Sequence, residues 1–219
     1  MFGNDAPARG RIRVKICGLT TLADSLLAVQ AGADALGFIF FPGSKRYLNP
    51  RAASDWMIHL PTQVTKVAVL VNPTLDDVIH TAALPFIDAV QLHGSEAPEF
   101  CRRVAEQGIR FAKAWPASRH GTVEAIPNFY TDTIVLDSKT RRGFGGTGET
   151  FDWSAGKKIV QNHPDLRVVV AGGLTAENVS EAIRVMRPFA VDVTTGIESS
   201  PGRKDPARTR DFIAAARAA

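Results

Sequence analysis

Short apolar runs alternate with longer helical patterns along this 219-residue chain, and this alternation is the feature that most limits its fold. Most of the runs are near-continuous stretches of Val, Ile, Leu and Ala, which are typical of strands covered on both faces in a parallel sheet. The expected strands are Ile12–Ile16, Ala35–Phe40, Lys66–Val71, Ala89–Leu92, Arg110–Ala114, Thr133–Leu136, Arg167–Ala171 and Ala190–Val193.

Between these runs, apolar residues recur at helical spacing, with start and stop signals at several of the ends. Thr74 precedes one helix as a cap, and Gly32 and Gly108 lie where helix C-termini favour a left-handed residue. The expected helices are Leu22–Ala31, Pro50–Leu60, Leu75–Leu84, Glu96–Gln107, Gly121–Asn128, Ser154–Gln161, Ala176–Met186 and Pro206–Ala218.

Eight strand–helix pairs in a chain of this length predict an α/β protein, a single (β/α)8 TIM barrel with parallel strands. An open, doubly wound sheet is the alternative. No linker or low-complexity segment divides the chain, so we expect a mobile N-terminal arm at residues 1–10 and a barrel domain at residues 11–219.

Composition and charge limit the partners and the location of the protein. The net charge is only +4, and no basic patch with a reading element indicates nucleic-acid binding. The two cysteines form no disulfide framework, residues 1–10 lack a signal-peptide core, and no apolar run approaches the roughly 20 residues that cross a bilayer. We therefore expect a cytoplasmic protein, monomer or homodimer, with no membrane partner.

Polar and special residues follow the expected strands, where the active site of a barrel lies. The first strand leads to Cys17, followed by Gly18 for a tight turn and by Thr20 as a possible helix cap. The helix N-terminus and a cation, Lys15 or Arg46, would favour the thiolate form of Cys17. A small buried structural cysteine is the alternative.

Asp137 follows the sixth strand in the same way. A short apolar run precedes it, Ile134 to Leu136, so its carboxyl should be partly desolvated, which favours the protonated, proton-donating form. A thiol and a carboxyl at two strand ends predict paired acid and base chemistry. A helix cap, or an ion pair with Lys139, Arg141 or Arg142, is the alternative for this aspartate. The remaining strand-end residues are Phe41, Asn72, His93, Trp115, Gly172 and Thr194.

Glycines and hydroxyls after the seventh and eighth strands predict a phosphate site. Gly172 and Gly173 lie in one loop, and Thr195 and Gly196 lie in the other. Such loops ahead of helix N-termini bind phosphate through backbone N–H groups, and barrels often place the site there. Arg46, in the loop after the second strand, can bind a carboxylate through two N–H groups.

Residues 139–153 carry no strand or helix pattern, and loops of that length often serve as lids. His93 either lines the pocket or satisfies a backbone group. No His, Cys, Asp or Glu cluster has metal-ligand spacing, so we expect no metal and no cofactor.

A series of motifs in order closely resembles the phosphoribosylanthranilate isomerase family over residues 12–215. The motifs are KICGLT (15–20), GFIFFPGSKRYLNP (37–50), QLHG (91–94), VLDS (135–138), GGTGETFDW (145–153), AGGLTAENV (171–179) and FAVDVTTGIESSPGRKD (189–205). Thr194-Thr195 departs from the Ser-Ser that is frequent in the family, and the added methyl groups could narrow the phosphate site.

The resemblance implies an Amadori rearrangement of N-(5′-phosphoribosyl)anthranilate, with Asp137 as general acid and Cys17 as general base. Arg46 would then face the anthranilate carboxylate, and Gln91, His93 and Asp192 would line the pocket. The phosphate would lie on Gly172, Gly173, Thr195 and Gly196. Two alternatives stay open at this point: an isomerase of a related phosphosugar aminoaldose, and a non-catalytic phosphosugar-binding barrel.

Overall fold

Eight parallel strands close into a barrel in the computed structural model of the chain, which describes residues 11–117, 126–138 and 150–219. Each strand pairs with the next along the chain, and the last pairs with the first. The strands are β1 (Arg13–Cys17), β2 (Ala35–Ile39), β3 (Thr65–Leu70), β4 (Ala89–Leu92), β5 (Phe111–Ala117), β6 (Thr133–Ser138), β7 (Arg167–Val170) and β8 (Ala190–Val193). The predicted single (β/α)8 barrel is confirmed.

In the described residues a helix follows each strand except β5, and a short antiparallel hairpin separates β8 from the last helix. The helices are α1 (Leu22–Ala31), α2 (Pro50–Met57), α3 (Leu75–Ala82), α4 (Pro98–Glu106), α5 (Trp153–Asn162), α6 (Val179–Met186) and α7 (Pro206–Arg217). The hairpin strands are β9 (Glu198–Ser200) and β10 (Arg203–Lys204). In the described part of the chain, no helix is long and apolar enough to cross a membrane.

Several predicted boundaries are corrected by strand pairing. Trp115 was expected after the fifth strand, yet β5 continues to Ala117 because its pairing with β6 extends through Pro116 opposite Asp137 and Ala117 opposite Ser138. Asp137 accordingly lies inside β6. An apolar run marks only the part of a strand that is buried on both faces, whereas the hydrogen-bonded ladder continues past it.

Some predicted helix ends are also wrong. The helix expected from Ala176 begins at Val179. The first helix spans Leu22–Ala31 as predicted, and its cap is Thr21, whose side chain accepts from the Asp24 N–H. Thr20 instead donates to the Gly202 carbonyl at 2.6 Å. Of the predicted helix 121–128, only 126–128 are described, and these are not helical. The N-terminal arm at 1–10 and most of the predicted lid, 139–149, lie outside the described residues.

Side chains along each strand alternate between two cores. One set packs outward against the helices, as Val14, Ile16, Leu36 and Phe38 do. The other set fills the barrel interior with small residues, which are Ala35, Val67, Ala89, Ala112, Ala114, Val135, Val169, Ala171 and Ala190. The same two-residue period brings polar side chains into the interior at the carboxyl ends of the strands, where they form the site.

Candidate active site

A cavity of about 520 Å³ opens at the carboxyl ends of the strands. All ten residues that the sequence analysis assigned to the site line it, although they come from six strands or the loops after them. They are Cys17, Arg46, Gln91, His93, Asp137, Gly172, Gly173, Asp192, Thr195 and Gly196. Closure of the barrel therefore brings together side chains that are up to 179 positions apart in the sequence.

Cys17 is the last residue of β1 and is 5% exposed. The chain turns at Gly18, whose φ of +72° favours glycine. A Cβ on Gly18 would also lie 2.7 Å from Arg46 Cδ. Burial raises the pKa of the Cys17 thiol above its usual value, although the neighbouring Lys15 charge acts in the opposite direction. The cation Lys15 favours the thiolate, as expected, but desolvation has the larger effect on this thiol.

Asp137 lines the cavity, where two side chains at the end of β4 lie beside it. His93 Nε2 lies 3.1 Å from Asp137 Oδ2, and Gln91 Nε2 lies 2.9 Å from His93 Nδ1. The Gln91 amide nitrogen, a donor, thus faces Nδ1, and the other ring nitrogen of His93, Nε2, faces the Asp137 side chain. The Asp137 side chain is 13% exposed, which agrees with the expected partial desolvation.

Two acceptor oxygens at the cavity have no hydrogen-bond partner among the described residues. They are Gln91 Oε1 and Asp192 Oδ1, both buried. The other oxygen of Asp192 pairs with Lys15 Nζ at 2.6 Å. Buried polar atoms are rarely left unsatisfied in native proteins, so these two oxygens are suited to accept from hydroxyl or N–H groups of a ligand.

The glycine loops approach each other closely at one side of the cavity. Gly172 has a φ of +83°, and a Cβ there would lie 2.1 Å from Ser138 Oγ and 2.6 Å from Asp137 Oδ1. A Cβ on Gly196 would lie 2.0 Å from the Leu174 carbonyl oxygen. Only glycine fits at both positions, which leaves backbone rather than side chains facing this end of the cavity.

The sequence profile described as "N-(5'phosphoribosyl)anthranilate (PRA) isomerase" matches residues 14–215 of this chain. The chain belongs to this family. Its relatives include the phosphoribosylanthranilate isomerases of Thermotoga maritima, 45% identical over 92% of this chain and 97% of that protein, and of Geobacter sp. (strain M21), 44% identical over 94% and 98%. The resemblance stated from the motifs is confirmed.

Solved phosphoribosylanthranilate isomerases share the fold. One, in complex with reduced 1-(o-carboxyphenylamino)-1-deoxyribulose 5-phosphate, has a TM-score of 0.81 and 41% identity, covering 95% of this chain and 100% of that chain. The Thermus thermophilus enzyme has a TM-score of 0.80 at 32% identity, covering 93% and 98%. A third structure, at a TM-score of 0.77 and 39% identity, is of monomers generated from the dimeric T. maritima isomerase and covers 95% and 100%.

An ion-pair network that sequence reasoning missed braces the phosphoribosylanthranilate isomerase site. The Glu198 carboxylate accepts from Arg46 Nε at 2.8 Å and from Arg46 Nη2 at 2.7 Å. Lys204 Nζ donates to Glu198 Oε1 at 3.1 Å and to the Cys17 carbonyl at 2.6 Å. The tight Pro201–Gly202 turn was the available signal, since it predicts a hairpin that brings Glu198 beside Lys204.

The contacts in this network affect the pKa values of Glu198 and Lys204 and occupy N–H groups of Arg46. Burial alone would raise the pKa of Glu198, but hydrogen bonds and charges from Arg46 and Lys204 lower it below the usual range. Burial lowers the pKa of Lys204 against the effect of Glu198. Arg46 was expected to bind a ligand carboxylate through two N–H groups. The structure pairs its Nε and Nη2 with Glu198, and the guanidinium has further N–H groups for a ligand.

Proposed function

We propose that this chain converts N-(5′-phosphoribosyl)anthranilate into 1-(2-carboxyphenylamino)-1-deoxyribulose 5-phosphate, with Cys17 as general base and Asp137 as general acid. The observation that carries this proposal is the placement of the thiol and the carboxyl on one cavity, on β1 and β6 respectively. Family membership supports the overall reaction, and the two facing groups supply the proton donor and the proton acceptor that it needs.

The first step opens the sugar ring. Protonated Asp137 gives its proton to the furanose oxygen, the bond from C1′ to that oxygen breaks, and the lone pair of the anthranilate nitrogen forms a C1′=N double bond. The Asp137 carboxylate produced here faces His93 Nε2 at 3.1 Å. The imidazole N–H therefore stabilises the charge that develops on Asp137 as the proton leaves.

The second step moves the double bond. The Cys17 thiolate removes the C2′ proton, the electrons of that C–H bond form C1′=C2′, and the nitrogen regains its lone pair. The Asp137 carboxylate then takes the 2′-hydroxyl proton and the Cys17 thiol gives its proton to C1′, which forms the ketone and restores both side chains. Atoms and electrons balance within the substrate and the two side chains, so the reaction is an isomerisation.

The surrounding residues bind the ends of the substrate. Arg46, oriented by Glu198, presents its further N–H groups to the anthranilate carboxylate. The loops at Gly172 and Gly196 hold the phosphate against backbone. Unpaired Asp192 Oδ1 accepts from a hydroxyl group of the sugar. Each of these contacts positions the reacting carbon between acid and base.

The direct test follows phosphoribosylanthranilate, generated in place, through loss of its fluorescence. Cys17→Ser and Asp137→Asn should each lower turnover by roughly two to four orders of magnitude, whereas Cys101→Ser should not. Cys101 is the matched control because it is a fully buried thiol in α4 that does not line the cavity. Near-native turnover in a folded Cys17 or Asp137 variant would refute that residue's role. No turnover by folded wild type would favour the phosphosugar-binding alternative.

A further inference from the structure

Lys15 is a buried ammonium inside the barrel that the reaction steps above do not use. Its side chain is 1% exposed, and its Nζ lies 2.6 Å from Asp192 Oδ2. The two residues are direct neighbours in the ladder between β1 and β8. A buried charge is costly unless it is paired, so the barrel keeps a positive charge at this level only because β8 supplies a carboxylate beside it.

The fold places this ammonium next to the Cys17 thiol. Lys15 and Cys17 are two positions apart on β1, so their side chains lie on the same face of the strand and point into the interior. Gly37 on β2 lies directly opposite Cys17 in the ladder. A Cβ on Gly37 would lie 2.6 Å from Cys17 Sγ and 3.0 Å from Lys15 Cε. The bare backbone of Gly37 therefore makes the space in which the two side chains lie against each other.

The other two cations near Cys17 are bound to other groups. Arg46 is paired with Glu198 through two donors. Lys204 donates to Glu198 and to the backbone carbonyl of Cys17. Lys15 has its own counter-ion, Asp192, whose second oxygen carries no other bond within the described residues. Lys15 is therefore the cation that packs beside the Cys17 side chain, whereas Arg46 and Lys204 are both paired with Glu198.

We propose that Lys15 is a positioning residue for Cys17: its ammonium, clamped by Asp192, stabilises the thiolate that removes the C2′ proton. This rests on the function proposed above for Cys17. Burial raises the pKa of the thiol, and Lys15 is the largest opposing influence. Burial also acts to lower the pKa of Lys15, but Asp192 and Cys17 raise it, so the ammonium keeps its charge while the sulfur gains and loses a proton.

The test titrates the thiolate directly, by its ultraviolet absorbance near 240 nm. The background is Cys101→Ala, and subtraction of the spectrum of Cys17→Ser isolates the signal of Cys17. We compare Lys15→Met with Lys66→Met, since Lys66 is also a buried lysine paired with an aspartate, Asp88 at 2.8 Å, and does not line the cavity.

Loss of the neighbouring positive charge should raise the Cys17 midpoint in Lys15→Met by about one to three pH units. The ascending limb of the kcat/KM profile should shift with it. Lys66→Met should leave both unchanged, even if it lowers the melting temperature. The other titratable and charged groups that face Cys17, which are Asp192, Arg46, Lys204, His93 and Asp137, are retained in both variants, and only Asp192 loses its partner in Lys15→Met.

An unchanged Cys17 midpoint in folded Lys15→Met would overturn the proposal. If that variant fails to fold because Asp192 is left unpaired, Lys15→Met/Asp192→Asn removes both charges, and its Cys17 midpoint should still rise. The titration needs no substrate, so a shifted midpoint in a protein that does not isomerise would separate failure of the reaction assignment from failure of this one.

Discussion

The Glu198–Lys204 pair offers a quantitative test of how the hairpin after β8 stabilises the site. Both side chains are buried, at 4% and 0% exposure, with Lys204 Nζ 3.1 Å from Glu198 Oε1. Removing one partner of such a pair leaves the other charge uncompensated and costs about 3–5 kcal/mol. We therefore expect Glu198→Gln, which leaves Lys204 without a carboxylate partner, to lower the free energy of unfolding by about 3–5 kcal/mol. Lys204→Met should cost less, because Glu198 stays paired with Arg46.

The double variant separates the pair interaction from the two local effects. Glu198→Gln/Lys204→Met leaves neither charge of the pair behind, and Arg46 is exposed enough at 14% to find water. The stability loss of the double variant should stay near that of Glu198→Gln alone, so the coupling energy should be close to the loss measured for Lys204→Met. In a chain of this size, each kcal/mol corresponds to roughly 2–4 °C in melting temperature.

Urea unfolding at pH 7, followed by circular dichroism, measures all four proteins. The matched control is the exposed ion pair of Glu99 and Arg102 on α4, whose double-variant cycle should give no measurable coupling. Losses from Glu198→Gln and Lys204→Met that add within about 0.5 kcal/mol would refute the reasoning, because independent sites add to that accuracy.

Three further predictions follow. Because the network lowers the pKa of Glu198 against the effect of burial, stability from this carboxylate is complete above the ordinary glutamate value of about 4.3 and lost as pH falls through the lowered one; Glu198→Gln should flatten that acid limb in urea titrations. Gly172→Ala should cost about 1–2 kcal/mol in backbone strain and also lower kcat, since its Cβ would meet Asp137 Oδ1 at 2.6 Å. Gly108→Ala, at a φ of +67° with open space around it, should show the strain without the loss of activity, and equal kcat losses would contradict the crowding argument. Inorganic phosphate should compete with the substrate, and an unchanged apparent KM at high phosphate and matched ionic strength would count against the glycine loops.

The fold could be predicted from local pattern because strands and helices here carry distinct periods. Near-continuous Val, Ile and Ala runs mark strands covered on both faces, and their alternation with capped helices leaves few arrangements. The ends of elements were harder to predict. The extension of β5 through Pro116 depends on hydrogen bonding to β6. The residues of β5 alone do not indicate which strand will pair with them or how far the pairing extends.

The candidate site divides in the same way. Motifs at strand ends named Cys17, Asp137 and the glycine loops, because parallel strands that close into a barrel present their carboxyl ends at one rim. The bracing of Arg46 by Glu198 joins residues 152 positions apart, so it exists only once the β8 loop packs onto the loop after β2. Residue types alone did not point to it, since exposed Arg, Lys and Glu side chains are common in any chain.

Which chemical groups stand at the rim was therefore determined by the sequence, through period, glycine placement and strand-end residues. How those groups behave was decided by the tertiary structure. The sequence favoured a thiolate at Cys17 from nearby cations, yet burial raises the pKa of that thiol, and Lys15 beside it depends on Asp192 from the opposite end of the chain. Desolvation and long-range pairing arise only when the barrel closes, because both depend on which distant atoms replace water around a group.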